Sequence, residues 1–170
     1  MSEILYGKEA QEKLLEGVNL VANTIKGTLG PKARTVIIKK NGKPVVINDG
    51  VTIAKAIQSD DEFVQMGVEL LQQVASEAQE NTGDGTTTAS ILAQEMCNIG
   101  ANMVNNGTDP IQLKKEIDAS AKEVVGRLDA MAKPIDGIED MAYVATIAAN
   151  NDEKLGALIA DVFQEIGKDG

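Results

Sequence analysis

Apolar residues recur at intervals of three and four along most of this chain. Between residues 8 and 26, Ala10, Leu14, Val18, Val21 and Ile25 share one helical face and most charges lie opposite, which predicts an amphipathic helix. Gly27 and Gly30 stop it, and Pro31 stiffens the exit. The period then changes. Residues 35–39 and 44–47 are β-branched runs joined through Asn41-Gly42, predicting two antiparallel strands in a hairpin. Helical spacing returns over 51–57. It resumes after the acids Asp60-Asp61-Glu62, in Phe63, Met66, Leu70, Leu71, Val74 and Ala78. Ala89, Leu92, Ala93, Met96, Ile99 and Met103 continue the pattern to Asn106-Gly107, with the methionines expected to serve packing. Asp109 as cap and Pro110 in the first helical position begin another helix, whose buried stripe is expected to be Ile117, Ala121, Val124, Leu128 and Met131. The pattern breaks at Lys133-Pro134, and residues 138–149 and 152–166 read as two further helices joined at Asn150-Asn151. The order is mainly α with one small hairpin, unlike alternating βαβ units, and Pro134 marks the expected domain boundary.

The polar stretch Asn81-Thr82-Gly83-Asp84-Gly85-Thr86-Thr87-Thr88 separates two long helical runs, so it reads as a tight turn feeding a helix start. Gly83 and Gly85 permit positive φ and leave room for a ligand to approach the backbone. Thr86, Thr87 and Thr88 offer hydroxyls and unpaired N–H groups where the helix dipole favours an anion such as phosphate. An aspartate beside a polyphosphate is repulsive unless a cation intervenes, so Asp84 makes better sense as an oxygen ligand for Mg²⁺. The plainer alternative is that Thr86 caps a helix and the glycines make the turn. A second glycine-punctuated loop, Thr28-Leu29-Gly30-Pro31-Lys32, offers a hydroxyl, an approachable backbone and a positive charge. Asp49, in Asn48-Asp49-Gly50, reads on its own as a helix cap.

Composition narrows the chemistry. With 16 Lys plus Arg against 26 Asp plus Glu, the net charge of −10 argues against a nucleic-acid or anionic-membrane surface. Aromatic residues make up only 2%, so the core must come from Ala, Val, Ile, Leu and Met. One cysteine and no histidine remove disulfides, zinc clusters and Ser/His/Asp or Cys/His catalysis, and Cys97 is expected to be a small core residue. No apolar run reaches a membrane span and Met1-Ser2-Glu3 does not begin a secretory signal, so a reducing, cytoplasmic setting is expected.

Three stretches occur together: Thr28-Leu29-Gly30-Pro31-Lys32, Asn48-Asp49-Gly50-Val51-Thr52-Ile53-Ala54 and Gly83-Asp84-Gly85-Thr86-Thr87-Thr88-Ala89. In order and spacing they resemble the N-terminal part of the chaperonin 60 family, and more closely its bacterial and organellar group I branch. The likeness extends through Ala148-Ala149-Asn150-Asn151-Asp152 to Gly167-Lys168-Asp169-Gly170. It implies an equatorial-domain-like helical bundle over residues 1–133 and the start of an intermediate hinge domain over 134–170. The apical domain and the second equatorial half would lie beyond this chain.

The resemblance also implies an ATPase that assists protein folding as a homo-oligomeric ring, with nonnative clients and a co-chaperonin engaged by the apical domain. Thr28 to Lys32 and Gly83 to Thr88 would surround the phosphates of ATP, and Asp84 would hold Mg²⁺. Thr28 and the neighbourhood of Asn48 would support K⁺. Asp49 would face the terminal phosphate and orient water for in-line attack. Two departures stand out. Asn48 replaces a lysine found in some relatives, and Ala33 stands where many group I members have glycine. A phosphoryl-transferring kinase is disfavoured, since neither Gly-x-x-x-x-Gly-Lys-[Ser/Thr] nor Asp-Phe-Gly occurs. A nonenzymatic helical interaction module, its loops serving only as caps and turns, is the other alternative.

Overall fold

The computed structural model describes residues 3–30, 33–40 and 42–167. Pro31, Lys32, Asn41 and Lys168-Asp169-Gly170, all used in the sequence reading, lie outside the described residues. The elements are α1 (Gly7–Ile25), a 3-10 turn (Lys26–Thr28), β1 (Val36–Lys40), β2 (Lys43–Ile47), α2 (Gly50–Ala56), α3 (Glu62–Thr82), α4 (Thr86–Asn105), α5 (Pro110–Met131), α6 (Gly137–Ala148) and α7 (Glu153–Ile166). The strands pair antiparallel with Val36 opposite Ile47 and Lys40 opposite Lys43, which leaves a two-residue hairpin link. Gly42 takes φ +77° there, the left-handed geometry such links require.

Contacts divide the chain into two units, Met1–Lys115 and Glu116–Gly170, with the division inside α5. In the first unit, Val18, Val21, Ala22 and Ile25 of α1 pack with Ile53 and Ala54 of α2 and with Val68, Leu71 and Ala75 of α3. The α1–α3 crossing is unusually close because glycine meets glycine. A methyl group at Gly17 would fall on the Val64 carbonyl oxygen and lie 2.6 Å from the Val68 nitrogen; one at Gly67 would fall on the Leu14 carbonyl oxygen. Asp61 caps α3, accepting from the N–H groups of Phe63 (3.0 Å) and Val64 (3.1 Å), and also pairs with Lys13 of α1 at 2.6 Å. That hydrogen bond to Lys13, with the cap bonds, lowers the Asp61 pKa, and the same bond raises that of Lys13. Asp109 accepts from the Gln112 N–H at 2.7 Å, as expected of the α5 cap.

Within the second unit, α6 and α7 form an antiparallel pair whose turn uses Asn150 and Asn151 at φ 56° and 66°, a region asparagine tolerates better than most residues. Gly156 of α7 lies directly on Thr146 of α6. Asp152 caps α7 through the N–H groups of Lys154 and Leu155.

Three expected faces are corrected. On α3 the buried residues are Val64, Gly67, Val68, Leu71 and Ala75, whereas Met66 and Leu70 are exposed, because the glycine seam turns small residues inward. On α4 the buried residues are Thr86, Ser90 and Gln94, while Leu92, Met96, Ile99 and Met103 face outward, Leu92 being 59% exposed. Cys97 follows that outward arc and is exposed rather than a core residue, with partial burial still raising its thiol pKa. On α5 only Leu113 is buried; Ala121, Val124, Leu128 and Met131 of the expected stripe are exposed and Ile117 is half-buried.

Candidate functional site

The turn between α3 and α4 has the backbone its glycines allow. Gly83 (φ +73°) closes α3 through a bond from its N–H to the Gln79 carbonyl at 2.9 Å, and Gly85 (φ +77°) precedes α4. Thr82 holds the turn together. Its hydroxyl lies 2.7 Å from the Asp84 carbonyl oxygen and accepts the Asp84 N–H at 3.3 Å. The Asp84 carboxylate is exposed, with Oδ1 accepting the Gly85 N–H at 2.6 Å. Thr86 does not cap α4: the N-cap position is Gly85, which has no side chain to offer, so the first-turn N–H groups of this 20-residue helix are left without a side-chain cap. Such an end suits an anion. Thr86 is buried, Thr87 half-buried and Thr88 exposed.

The 48–50 turn meets this helix start. Gly50 is buried against it, and a methyl group there would lie 2.7 Å from Thr87 Oγ1 and 3.2 Å from Thr86 Oγ1. Asp49 and Asn48, just before Gly50, are exposed. Asp49 does cap α2, its Oδ2 accepting the Thr52 N–H at 2.9 Å and the Thr52 hydroxyl. Both bonds end on one oxygen. Oδ1 has no partner among the described residues and can address a ligand or a water while the cap stays intact. A cavity of about 540 Å³ beside α2 is lined by Thr52 and Lys55 with Ile38, Lys39 and Val51, and does not reach the 83–88 turn.

The third stretch follows α1 directly. The 3-10 turn containing Thr28 contacts α4 as well as α1. Thr28 Oγ1 donates to the Ile25 carbonyl at 2.7 Å, which orients the hydroxyl oxygen and leaves its lone pairs to accept or to meet a cation. Leu29 and Gly30 are exposed, Gly30 at φ +85°, and the loop is closed by bonds from Ala33 N–H to the Gly30 carbonyl (3.0 Å) and Arg34 N–H to the Gly27 carbonyl (2.8 Å). Ala33 is thus accommodated. Thus α4 touches both the Thr28 turn and α2, and its first turn meets Gly50.

Asp84 offers carboxylate oxygen, the donor a hard divalent cation prefers. Among the described residues no three acidic or sulfur side chains gather, so a Mg²⁺ there would complete its shell with phosphate oxygens and water. Those are the ligands this ion ordinarily retains.

Periodicity gave no sign of what joins α1 to α4. Gln94, 4% exposed, donates to Asn19 Oδ1 at 2.6 Å and Asn23 Oδ1 at 3.1 Å, and Asn98 and Asn19 exchange bonds of 2.9 and 3.1 Å. The signal was present as amides at 19, 23, 94 and 98, spaced by four in each helix.

Comparison with known proteins follows the same lines. The family model of the TCP-1/cpn60 chaperonin family matches residues 21–170. A chaperonin GroEL of Methanoregula boonei is 46% identical over 168 residues, covering 99% of this chain and 31% of that protein's length. The chaperonin gp146 from the bacteriophage EL 2 (Pseudomonas aeruginosa), crystallised in the presence of ATP-BeFx, superposes with a TM-score of 0.80 at 26% identity over 96% of this chain and 29% of its own. A group III chaperonin in the open state shares the fold, with a TM-score of 0.79 at 23% identity over 95% of this chain and 32% of its own.

Proposed function

The chain belongs to the TCP-1/cpn60 chaperonin family, and from that premise we propose that it is the N-terminal portion of a group I subunit carrying the phosphate- and Mg²⁺-binding turns of an ATP hydrolysis site. Residues 1–133 are assigned to the equatorial ATP-binding domain and 134–170 to the opening of the intermediate hinge domain. The chain spans 31% of the length of its GroEL relative; the whole subunit is read as assembling into a homo-oligomeric cytoplasmic ring. Its remaining domains engage nonnative clients and a co-chaperonin.

The observation that most supports this reading is the packing of Gly50 on Thr86 and Thr87, which sets Asp49 beside an uncapped helix start. The N–H groups of Thr86, Thr87 and Thr88 bind phosphate oxygens, and the backbone and side chains of Thr28 to Lys32 close around the phosphates from the other side. Asp49 Oδ1 takes a hydrogen bond from water and aligns it with the terminal phosphorus; the water oxygen bonds to phosphorus as the bond to ADP breaks, and its proton passes to the Asp49 carboxylate, giving ADP and phosphate. Asp84 would hold Mg²⁺, and Thr28 with the neighbourhood of Asn48 would support K⁺, cations that would neutralise phosphate charge. Differential affinity for ATP and ADP then biases domain positions through the hinge near Pro134.

Asp49 as a helix cap favours the alternative in which these turns are only structural, so the test must separate the roles. Asp49→Asn retains an acceptor for Thr52 but cannot take a proton. In the intact subunit it is expected to lower turnover about 100-fold or more with little change in KM, the scale of a lost general base. Asp84→Ala is expected to weaken Mg²⁺-dependent ATP binding. Unchanged turnover in both variants, with only stability altered, would leave the cap-and-turn reading standing.

A further inference from the structure

The amide cluster between α1 and α4, buried at Gln94 and open to solvent at Asn23, serves no apolar core, and its position relative to the turns is informative. Gln94 lies two helical turns beyond Thr86 on α4, and Asn23 lies just before the 3-10 turn that carries Thr28. Helix α1 therefore leads into one of the turns proposed to hold phosphate, at its C-terminal end, and α4 leaves the other, at its N-terminal end. Where they approach, the joint is made by directional bonds: both donors of one Gln94 carboxamide are used, one on Asn19 (2.6 Å) and one on Asn23 (3.1 Å), and Asn19 is locked to Asn98 by a reciprocal pair. An apolar contact lets helices slide and rotate; a buried carboxamide bonded at both hydrogens fixes one register, because displacement strands a desolvated donor.

We propose that Gln94, with Asn19 and Asn23, is a positioning group that fixes the Thr28 turn relative to the Gly83–Thr88 turn, so that both sets of donors meet one triphosphate. The inference rests on the nucleotide-site reading above. Direction of donation makes it specific. Asn23 acts only as an acceptor toward Gln94, so Asn23→Asp keeps the bond while Asn23→Leu removes it at an exposed position. Gln94→Leu removes both bonds at similar volume.

The test is titration of the chain with Mg·ATP, following backbone amide NMR signals of Gly85, Thr86 and Thr87 well below the melting temperature, with melting curves recorded alongside. Asn23→Leu is expected to raise the half-saturating concentration up to about tenfold, the upper value of one net hydrogen bond, and Gln94→Leu, which removes two, to raise it further. Asn23→Asp is expected to titrate as the parent does. If Gln94→Leu does not fold, the Asn23 pair decides alone. Unchanged half-saturation in folded Asn23→Leu, or equal loss in Asn23→Asp and Asn23→Leu, would overturn the positioning role even while the parent binds. Should the parent's amides at 85–87 not respond to Mg·ATP, the nucleotide site itself falls and the positioning role with it.

Discussion

Replacing Gly17 by alanine tests the packing that holds α1 on α3. The new methyl would be placed on the Val64 carbonyl oxygen, 2.6 Å from the Val68 nitrogen and 2.8 Å from the Gly67 carbonyl carbon. All three are backbone atoms, so no rotamer change relieves the clash and the helices must move apart by about an ångström, loosening Val18, Val21, Val68 and Leu71. Overpacking of this kind costs about 3 kcal/mol at the upper end of its usual range, while alanine in a helix interior regains about 1 kcal/mol over glycine. The net expectation is a loss of about 2 kcal/mol, equivalent to a fall of roughly 4–8 °C in Tm for a chain of this size. Urea unfolding followed by far-ultraviolet circular dichroism measures it. Gly100→Ala on α4 is the control: its methyl would meet only Leu113 Cδ2, at 3.9 Å, so propensity dominates and stability should rise by up to about 1 kcal/mol. A Gly17→Ala chain as stable as the parent would refute the close-crossing account.

Other consequences follow from the same geometry. Gly50→Ala should weaken Mg·ATP binding by pushing on Thr87 Oγ1, with a smaller effect on unfolding than Gly17→Ala; equal affinity in the two chains would show that the 48–50 turn is independent of the α4 start. Because the Asp61 carboxyl is held below its usual range, chiefly by the hydrogen bond from Lys13, its contribution is present above the ordinary carboxylate pKa and is lost as pH falls through the depressed one. Acid unfolding curves of Asp61→Asn should therefore be flatter than the parent's in that acidic window; parallel curves would mean that the pair contributes nothing. Cys97, exposed on α4, should be alkylated by a maleimide in the folded chain, more slowly than a free thiol because partial burial raises its pKa; protection until unfolding would return it to the core.

Local chemistry was what the sequence displayed best. Asn41-Gly42 between β-branched runs announced the hairpin, Asp109-Pro110 the start of α5, and the paired glycines around Asp84 a left-handed turn, because each depends on a few neighbouring residues. Periodicity also located the helices. It did not identify their inward faces. Leu92, Met96 and Ile99 make a better apolar stripe than Thr86, Ser90 and Gln94, yet the polar set is buried, since Ser90 bonds back to the Thr86 carbonyl at 2.8 Å and Gln94 finds amides on α1. Likewise Gly17 and Gly67 lie far apart in sequence and acquire meaning only when α1 crosses α3. In the candidate site, the residues were legible as three motifs, whereas the contact between Gly50 and Thr87 is tertiary and had no local signature.

The most direct test of a metal-bearing phosphate cradle substitutes Mn²⁺ for Mg²⁺, an ion with the same preference for oxygen ligands, and records paramagnetic broadening of backbone amide signals. With Mn·ATP, broadening is predicted to be strongest at Asp84, Gly85 and Thr86, to extend to Asp49 and Gly50, and to vanish in Asp84→Ala. Broadening centred on Asp60-Asp61-Glu62, or unchanged by Asp84→Ala, would contradict it.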